Sequence, residues 1–454
     1  MEHCLLLSHF AIDTTAQGWK ISLDTDSKVT AQQLHFLAEL PRIKQHVYSL
    51  KHQTGQGHLS LSLNTLDYLK FIPLITHPRG SVNARLDFSG ALLAPTFRFS
   101  ASLQNGQVQV PDLGLDLKQI NFAFQTHENQ LQGFGYLQSG KGLLNFSSTT
   151  QLNQADLVSQ ITIQGKQVMI YNTPEYKIIA SPELSIDANT QYLHTSGEIV
   201  FPEAQIHIDN QTMHLAELPD DIIFVNPQDQ TENKLPSLPF RYNNQVNLVL
   251  GDAIHFSYRG LQAHVTGRLA VQQRTGHPTL ATGELALTQG DYHYYGQTLT
   301  LDADSLLRFV NSPIDDPNLN ISASKSVAVF PDNSKESKIG SSQFINTALQ
   351  TQTQAIQTTV RVHIQGHLKN PKLALSAEPA DAINSQLDML SYLILGSSST
   401  QLSPGRGTER GHSLQNKVEQ FLDRAQKSIG IDQLTIGNNP IFNPEKTRYS
   451  KTHH

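Results

Sequence analysis

The segment GDYHYYGQTLTLDADSLLRF, Gly290 to Phe309, gathers side chains able to carry acid–base or metal chemistry. Tyr292, Tyr294 and Tyr295 are phenols, His293 is an imidazole, Asp302 and Asp304 are carboxylates, and Asp315 and Asp316 follow closely. Paired carboxylates can act as general acid and base or hold a divalent cation. The spacing argues for a plainer role. Tyr292 and Tyr294 lie two apart and so share one side of an extended strand, with His293 and Tyr295 on the other, an arrangement suited to packing. Asp302 and Asp304 flank the strand LTLD, and Asp315-Asp316 precedes Pro317, where aspartate hydrogen-bonds locally and favours turns. The segment reads as two strands with Gly296 at their bend.

Nothing elsewhere supplies a stronger chemical motif. The 20 histidines are scattered without metal-ligand spacing, Cys4 beside His3 is not a zinc set, and His453-His454 reads as an incidental end. No nucleophile elbow, phosphate loop or dinucleotide fingerprint occurs. The expectation is a protein that is not an enzyme, with no catalytic residue, metal or cofactor.

The elements that must position these residues are strands. Val82, Leu86 and Phe88 alternate with polar residues in SVNARLDF, as do Phe97 and Phe99 in PTFRFSASL and Ile120, Phe122 and Phe124 in INFAF. The pattern continues through Ile161 and Ile163, then Val246, Leu248 and Leu250, then Val265, Leu269 and Val271, and finally Val360, Val362 and Ile364. Period two of this kind marks half-buried strands. Strands are expected from about residue 80 to residue 376, with Asn105-Gly106 as a hairpin signal. Without helical patterns between them, they suit an elongated sheet, a solenoid or a barrel. Gly-x-Leu-x-x-Pro occurs twice before an alternating strand, at Gly90 to Pro95 and Gly366 to Pro371. Polar stretches at Pro227 to Leu238 and Pro331 to Gln357 read as a loop and an excursion from the sheet.

The last part changes period. INSQLDMLSYLILG puts Leu387, Leu390 and Ile394 on one helical face with Gly396 as C-cap. After a Ser/Gly/Pro-rich loop, SLQNKVEQFLDRAQKSIG predicts a second amphipathic helix between Ser413 and Gly430. Its polar face is nearly balanced in charge, which favours docking on the β structure over a membrane surface.

Composition agrees. At 454 residues with 16% charged residues and a net charge of -6, the chain gives no sign of a nucleic-acid partner. Its single cysteine excludes an internal disulfide framework. No run approaches the ~18 apolar residues of a spanning helix. The opening MEHCLLLSHFAIDTTAQGW lacks the basic segment and cleavage site of a signal peptide.

Three stretches resemble the TamB family of bacterial envelope proteins, within the AsmA-like group. They are GSVNARLDFSGALLAPTFRFSASLQNGQVQVPDLGLDL, then GELALTQGDYHYYGQTLTLDADSLLRFVNSPIDDPNLNISAS, and GHLKNPKLALSAEPADAINSQLDMLSYLILG. The likeness covers about residues 60 to 436. It implies an elongated curled β-sheet, an open groove of β-taco form with an apolar concave face. It also implies a place in the periplasm, transfer of phospholipid between the inner and outer membranes, partnership with a TamA-type outer-membrane barrel, and a link to outer-membrane protein assembly. Family members carry an N-terminal membrane anchor and further repeats; neither is visible here, and the chain reads as a fragment or truncated form. The expected layout is partial β repeats over 1–75, a groove body over 76–380 with its polar insert at 331–357, two helices over 381–430 and a tail over 431–454.

With the wet face outward, the lining of the groove is expected to be Val82, Leu86, Phe88, Phe97, Phe99, Phe122, Phe124, Leu248, Leu250, Val265, Leu269, Leu299, Leu301, Val362 and Ile364. The rival expectation is a scaffold that templates client strands at a sheet edge by β-augmentation.

Overall fold

The computed structural model describes residues 7–14, 18–27, 32–41, 54–91, 94–152, 157–208, 241–294, 296–330, 354–383, 385–398 and 435–436. They are mainly β. Thirteen strands come before the first long gap: β1 (Leu7–Thr14), β2 (Gly18–Ser27), β3 (Gln32–Pro41), β4 (Thr54–Leu63), β5 (Thr76–Ala91), β6 (Ala94–Val110), β7 (Leu115–His127), β8 (Gln130–Ser139), β9 (Gly142–Leu152), β10 (Leu157–Lys166), β11 (Val168–Asn172), β12 (Tyr176–Ala188) and β13 (Tyr192–Ile208). Then come β14 (Arg241–Tyr258), β15 (Leu261–Arg274), β16 (Leu280–Tyr294), β17 (Gln297–Leu301), β18 (Leu306–Pro313), β19 (Asn318–Val329), β20 (Ile356–His367) and β21 (Lys372–Glu378). The helix α1 (Gln386–Leu395) and the two-residue β22 (Thr435–Ile436) complete the set. Among the described residues strands begin at Leu7, in the 1–75 stretch expected to hold partial β repeats and ahead of the alternation read from about residue 80. The second predicted helix, the loop at Pro227 to Leu238 and most of the expected insert at 331–357 lie outside the described residues; the last two residues of that insert, Ile356 and Gln357, belong to β20 and not to an excursion from the sheet.

The chain divides into two compact units, Met1–Ile206 with Glu217–Gly251 and Ala270–Thr279, and His207–Ala216 with Asp252–Leu269 and Leu280–His454. In the first, β1 to β10 are antiparallel neighbours in chain order, each paired with the next. Strand β10 then pairs with β12, and β12 pairs with β11 and β13. Short connections make such neighbours adjacent in space.

Asn105-Gly106 does not make the expected hairpin. It lies within β6, where Asn105 has φ 52° and the register to β7 slips between Leu103 and Gly106. An αL residue followed by glycine serves a bulge as well as it serves a tight turn, and here it inserts an extra residue into a continuing strand. Gly106 is needed there, because a Cβ would sit 2.8 Å from Ile120 Cβ. The repeated Gly-x-Leu-x-x-Pro does mark a shared conformation: Gly90 and Gly366 have φ 103° and 98° where β5 and β20 end, and Pro95 and Pro371 stand where the next strands start.

In the second unit, β16 pairs with β17 at one end and β18 at the other, and both of these also pair with β19. Strands β17 and β18 thus occupy one lane between two long neighbours, interrupted at Asp302–Ser305. β19 continues to β20, and β20 to β21. Strand β21 pairs in parallel with β22 over Lys372 and Leu373.

Helix α1 starts after Ser385 and ends where Gly396 takes φ 75° and its N–H returns to the Tyr392 carbonyl, as the C-cap reading required. Its second half is buried without a break from Leu390 to Ile394, so it is wrapped by neighbours and not seated on a single stripe. Tyr392 and Leu393 pack with Leu299, Val327, Val329, Val360 and Ile383 in the main buried cluster of this unit. Among the described residues no helix is long and apolar enough to cross a membrane.

Candidate functional site

Several of the residues that suggested chemistry make structural contacts. Asp302 accepts a hydrogen bond from Ser324 Oγ at 2.7 Å and forms an ion pair with Arg361 Nε at 2.8 Å. Its backbone closes the jog between β17 and β18 by accepting from Ser305 N–H. Asp315 pairs with Lys369 Nζ at 2.7 Å, and Asp316 accepts the Lys369 N–H at 3.0 Å. Tyr292 stands opposite Leu299 and packs on the buried cluster. His293 bonds Thr298 across the hairpin at 3.0 Å. His363 links Ser322 on β19 to Ser376 on β21. Among the described residues no group of three His, Cys, Asp or Glu is placed to hold a metal. Tyr295, Cys4 and His453-His454 lie outside those residues.

Cross-strand register decides which expected lining residues meet. Opposed residues of antiparallel strands share one side of the sheet. Val82, Leu86 and Phe88 of β5 face Leu103, Phe99 and Phe97 of β6. On the preceding strand they face Leu63, Leu59 and Gly57 of β4. β6 passes the row on, Leu103 to Phe122 and, through Ala101, to Phe124. Seven expected lining residues are therefore joined in adjoining rows: Val82, Leu86, Phe88, Phe97, Phe99, Phe122 and Phe124. All are half-buried except Phe97, which is 51% exposed.

The same rows extend beyond the residues singled out from sequence. Phe122 and Phe124 face Gly135 and Gly133 of β8. Gly135 faces Phe146 of β9, Phe146 faces Ile163 of β10, and Ile163 faces Leu184 of β12. Three phenylalanine rings lie over glycines of a neighbouring strand. A Cβ on Gly133 would be 2.6 Å from the Phe124 ring, one on Gly135 would be 2.3 Å from the Phe122 ring, and one on Gly57 would be 2.5 Å from the Phe88 ring. Phe146 meets Phe122 edge-on at 5.8 Å between ring centres. A glycine in a strand leaves room for a neighbouring aromatic ring to lie down. Phe146 and these glycines went unnoticed in the sequence because the signal is one of register, which a single strand does not contain.

The other side of β3 to β7 is polar. Register aligns His35, Ser60, Arg85, Ser100 and Gln125 in one row. They border a shallow depression of about 440 Å³ whose lining contains no carboxylate. Arg85 is held by Asp87, and the hydrogen bond between them depresses the Asp87 carboxyl below its ordinary value.

The remaining expected residues fall elsewhere. Leu248 and Leu250 on β14 are half-buried, while Val265 and Leu269 on β15 are buried. In the second unit Leu301 faces Ala323, and Ala323 faces Val362. Ile364 stands between Ile321 and Leu373. Leu299 is part of the cluster beneath α1, and Val362 packs against it. Here the row is covered, with Val360 at 0% exposure and Tyr392 and Leu393 at 3% each.

One cation sits in this covered row. Lys325 on β19 faces Val360, and its Nζ donates to the side-chain oxygen of Gln297 and, at 3.3 Å, to the Tyr392 carbonyl at the end of α1. Burial pushes its ammonium below the ordinary lysine value.

Comparison with known proteins places these elements. Residues 132–452 match the family model described as TamB C-terminal domain. The chain is 24% identical over 330 residues to the translocation and assembly module subunit TamB of Haemophilus influenzae, an alignment covering 70% of this chain and 23% of that relative. The chain thus spans about a quarter of the length of the curated relative it matches.

Proposed function

The chain belongs to the TamB family, and from that premise we propose that it is a segment of a lipid conduit in the bacterial envelope. In this reading the sheet curls so that its apolar rows line an open groove, and phospholipid acyl chains slide along them between inner and outer membranes. The relative's name, translocation and assembly module subunit, supports a role in such a module. The partner would be a TamA-type outer-membrane barrel and the setting the periplasm.

The observation that carries the reading is the register of Leu59, Leu86 and Phe99 with the rows that continue through Phe124 and Phe146. A phospholipid with two chains of about sixteen carbons exposes roughly thirty methylenes, on the order of 25 kcal/mol in water at about 0.8 kcal/mol each. Free crossing of an aqueous gap is prohibitively slow. Rows of leucine, phenylalanine and isoleucine cover the chains while the head group stays in water. Because such contact is non-directional, no single position traps the lipid. Sliding needs no covalent step.

A photoreactive amino acid at Phe99 should capture radiolabelled phospholipid from vesicles, and one at Arg98, on the opposite side, should not. Equal capture at both positions removes the assignment of sides.

A second reading, a scaffold for outer-membrane protein assembly, is favoured by β21. Among the described residues its pairing with β22 covers only Lys372 and Leu373, so the rest of that strand's edge is where a client strand would add. Mass spectrometry of the chain after incubation with vesicles separates the two, since a scaffold alone elutes without lipid.

A further inference from the structure

Within the lipid-conduit reading, on which this inference rests, the covered face of β19, β20 and β21 has a specific consequence. Its row runs Ala323, Val362, Leu375 and, two residues on, Lys325, Val360, Ala377. Every position but one continues the apolar side. The exception, Lys325, has no carboxylate within ion-pair distance among the described residues. Its partners are an amide oxygen and a main-chain carbonyl. Tyr392 belongs to the buried cluster and Tyr292 packs against it, and Asp388 acts on the Tyr392 phenol.

The helix above this row is held by terms that a lipid can reproduce. Met389, Tyr392 and Leu393 supply apolar cover. The N-cap, Ser385, makes no side-chain cap hydrogen bond, and α1 has 10 residues. A helix C-terminus presents roughly half a negative charge to Lys325, whereas a lipid phosphate, monoester or diester, presents at least a full one. Acyl chains would replace the three side chains, and the phosphate would replace the Tyr392 carbonyl.

We propose that α1 and a phospholipid compete for this one site, with the Lys325 ammonium serving both: it holds the Tyr392 carbonyl while the helix is seated and the lipid phosphate when the helix is displaced. The helix is then a stopper at a phosphate-selective position of the conduit. Lys325 is a ligand for the head group as well as a cap for the helix.

The test uses the full chain with photoreactive residues at Val362 and, separately, Phe99. It is offered phosphatidic acid or diacylglycerol with matched acyl chains, and hydrogen exchange of 386–395 is followed in parallel. Expected is several-fold preference for phosphatidic acid at Val362, no such preference at Phe99, and faster exchange in α1 on loading with phosphatidic acid. Lys325→Met should equalise the two lipids at Val362, and Lys325→Arg should keep the preference. Should Lys325→Met fold poorly, the wild-type preference and the exchange change still decide the matter. A purely structural lysine would speed α1 exchange without lipid in Lys325→Met yet leave the lipid ratio unchanged, and that result overturns the proposal. Capture at Phe99 with none at Val362 also overturns it while leaving the conduit reading intact. Capture at neither position removes the conduit reading and this inference with it.

Discussion

Gly267 and Gly283 show how a side chain that is absent shapes the sheet. Both have φ near 140°, and a Cβ on Gly267 would lie 2.2 Å from the Glu284 carbonyl while one on Gly283 would lie 2.1 Å from the Arg268 carbonyl. Each strand approaches the other where it has no side chain. Gly267→Val should therefore destabilise its unit by about 2 kcal/mol or more, read as a lower urea midpoint, since the strained backbone alone costs ~1–3 kcal/mol. Gly133→Ala has an ordinary backbone but must push the Phe124 ring aside. It should cost about 1–3 kcal/mol, with the loss recovered in part by Phe124→Leu. Leu269, 5% exposed on β15, provides the opposite case. Leu269→Asp buries an unpaired charge and should cost several kcal/mol by the same measurement.

Among the elements, strands with clean alternation were legible, because each residue's environment repeats at the period of the chain itself. Phe97 and Phe99 declared their side of β6 before any partner was known. Asn105-Gly106 did not, because a positive φ is common to a turn and a bulge, and only the opposing Ile120 decides between them. α1 was legible at its C-terminus through Gly396, yet its burial was not. The sequence offered one stripe, whereas Ser391 at 0% and Tyr392 at 3% exposure belong to a segment enclosed by β17, β20 and Ile383. Leu393→Ala should loosen that enclosure by about 2–4 kcal/mol. Limited proteolysis near 396 should then proceed faster while the cleavage pattern of β5 to β9 stays the same.

Across the described residues, several carboxylates are held in exposed pairs. Hydrogen bonds from Arg85, Lys118 and Lys369 hold Asp87, Asp116 and Asp315 below the ordinary carboxylate value. An acid with a depressed folded value contributes stability that is present above its unfolded value and lost as pH falls through the folded one. Replacing all three with Asn should flatten the loss of stability below about pH 4, in urea midpoints taken across that range. Because exposed pairs are screened, the difference should shrink with added salt. With 16% charged residues, and with Arg85 and Asp87 on the side opposite the apolar rows, few fixed charges lie near the proposed path. That distribution was visible in composition, whereas the joining of rows across strands depended on loop lengths and bulges that no single strand encodes.

The chain-order pairing of β1 to β10 carries one more consequence. A hairpin grafted at one of these turns brings two strands, so every downstream residue keeps its side while the ladder grows by about 9.6 Å. A protein built this way can be lengthened or shortened in even steps like a folding ruler, with the hairpin number as the heritable setting of its reach.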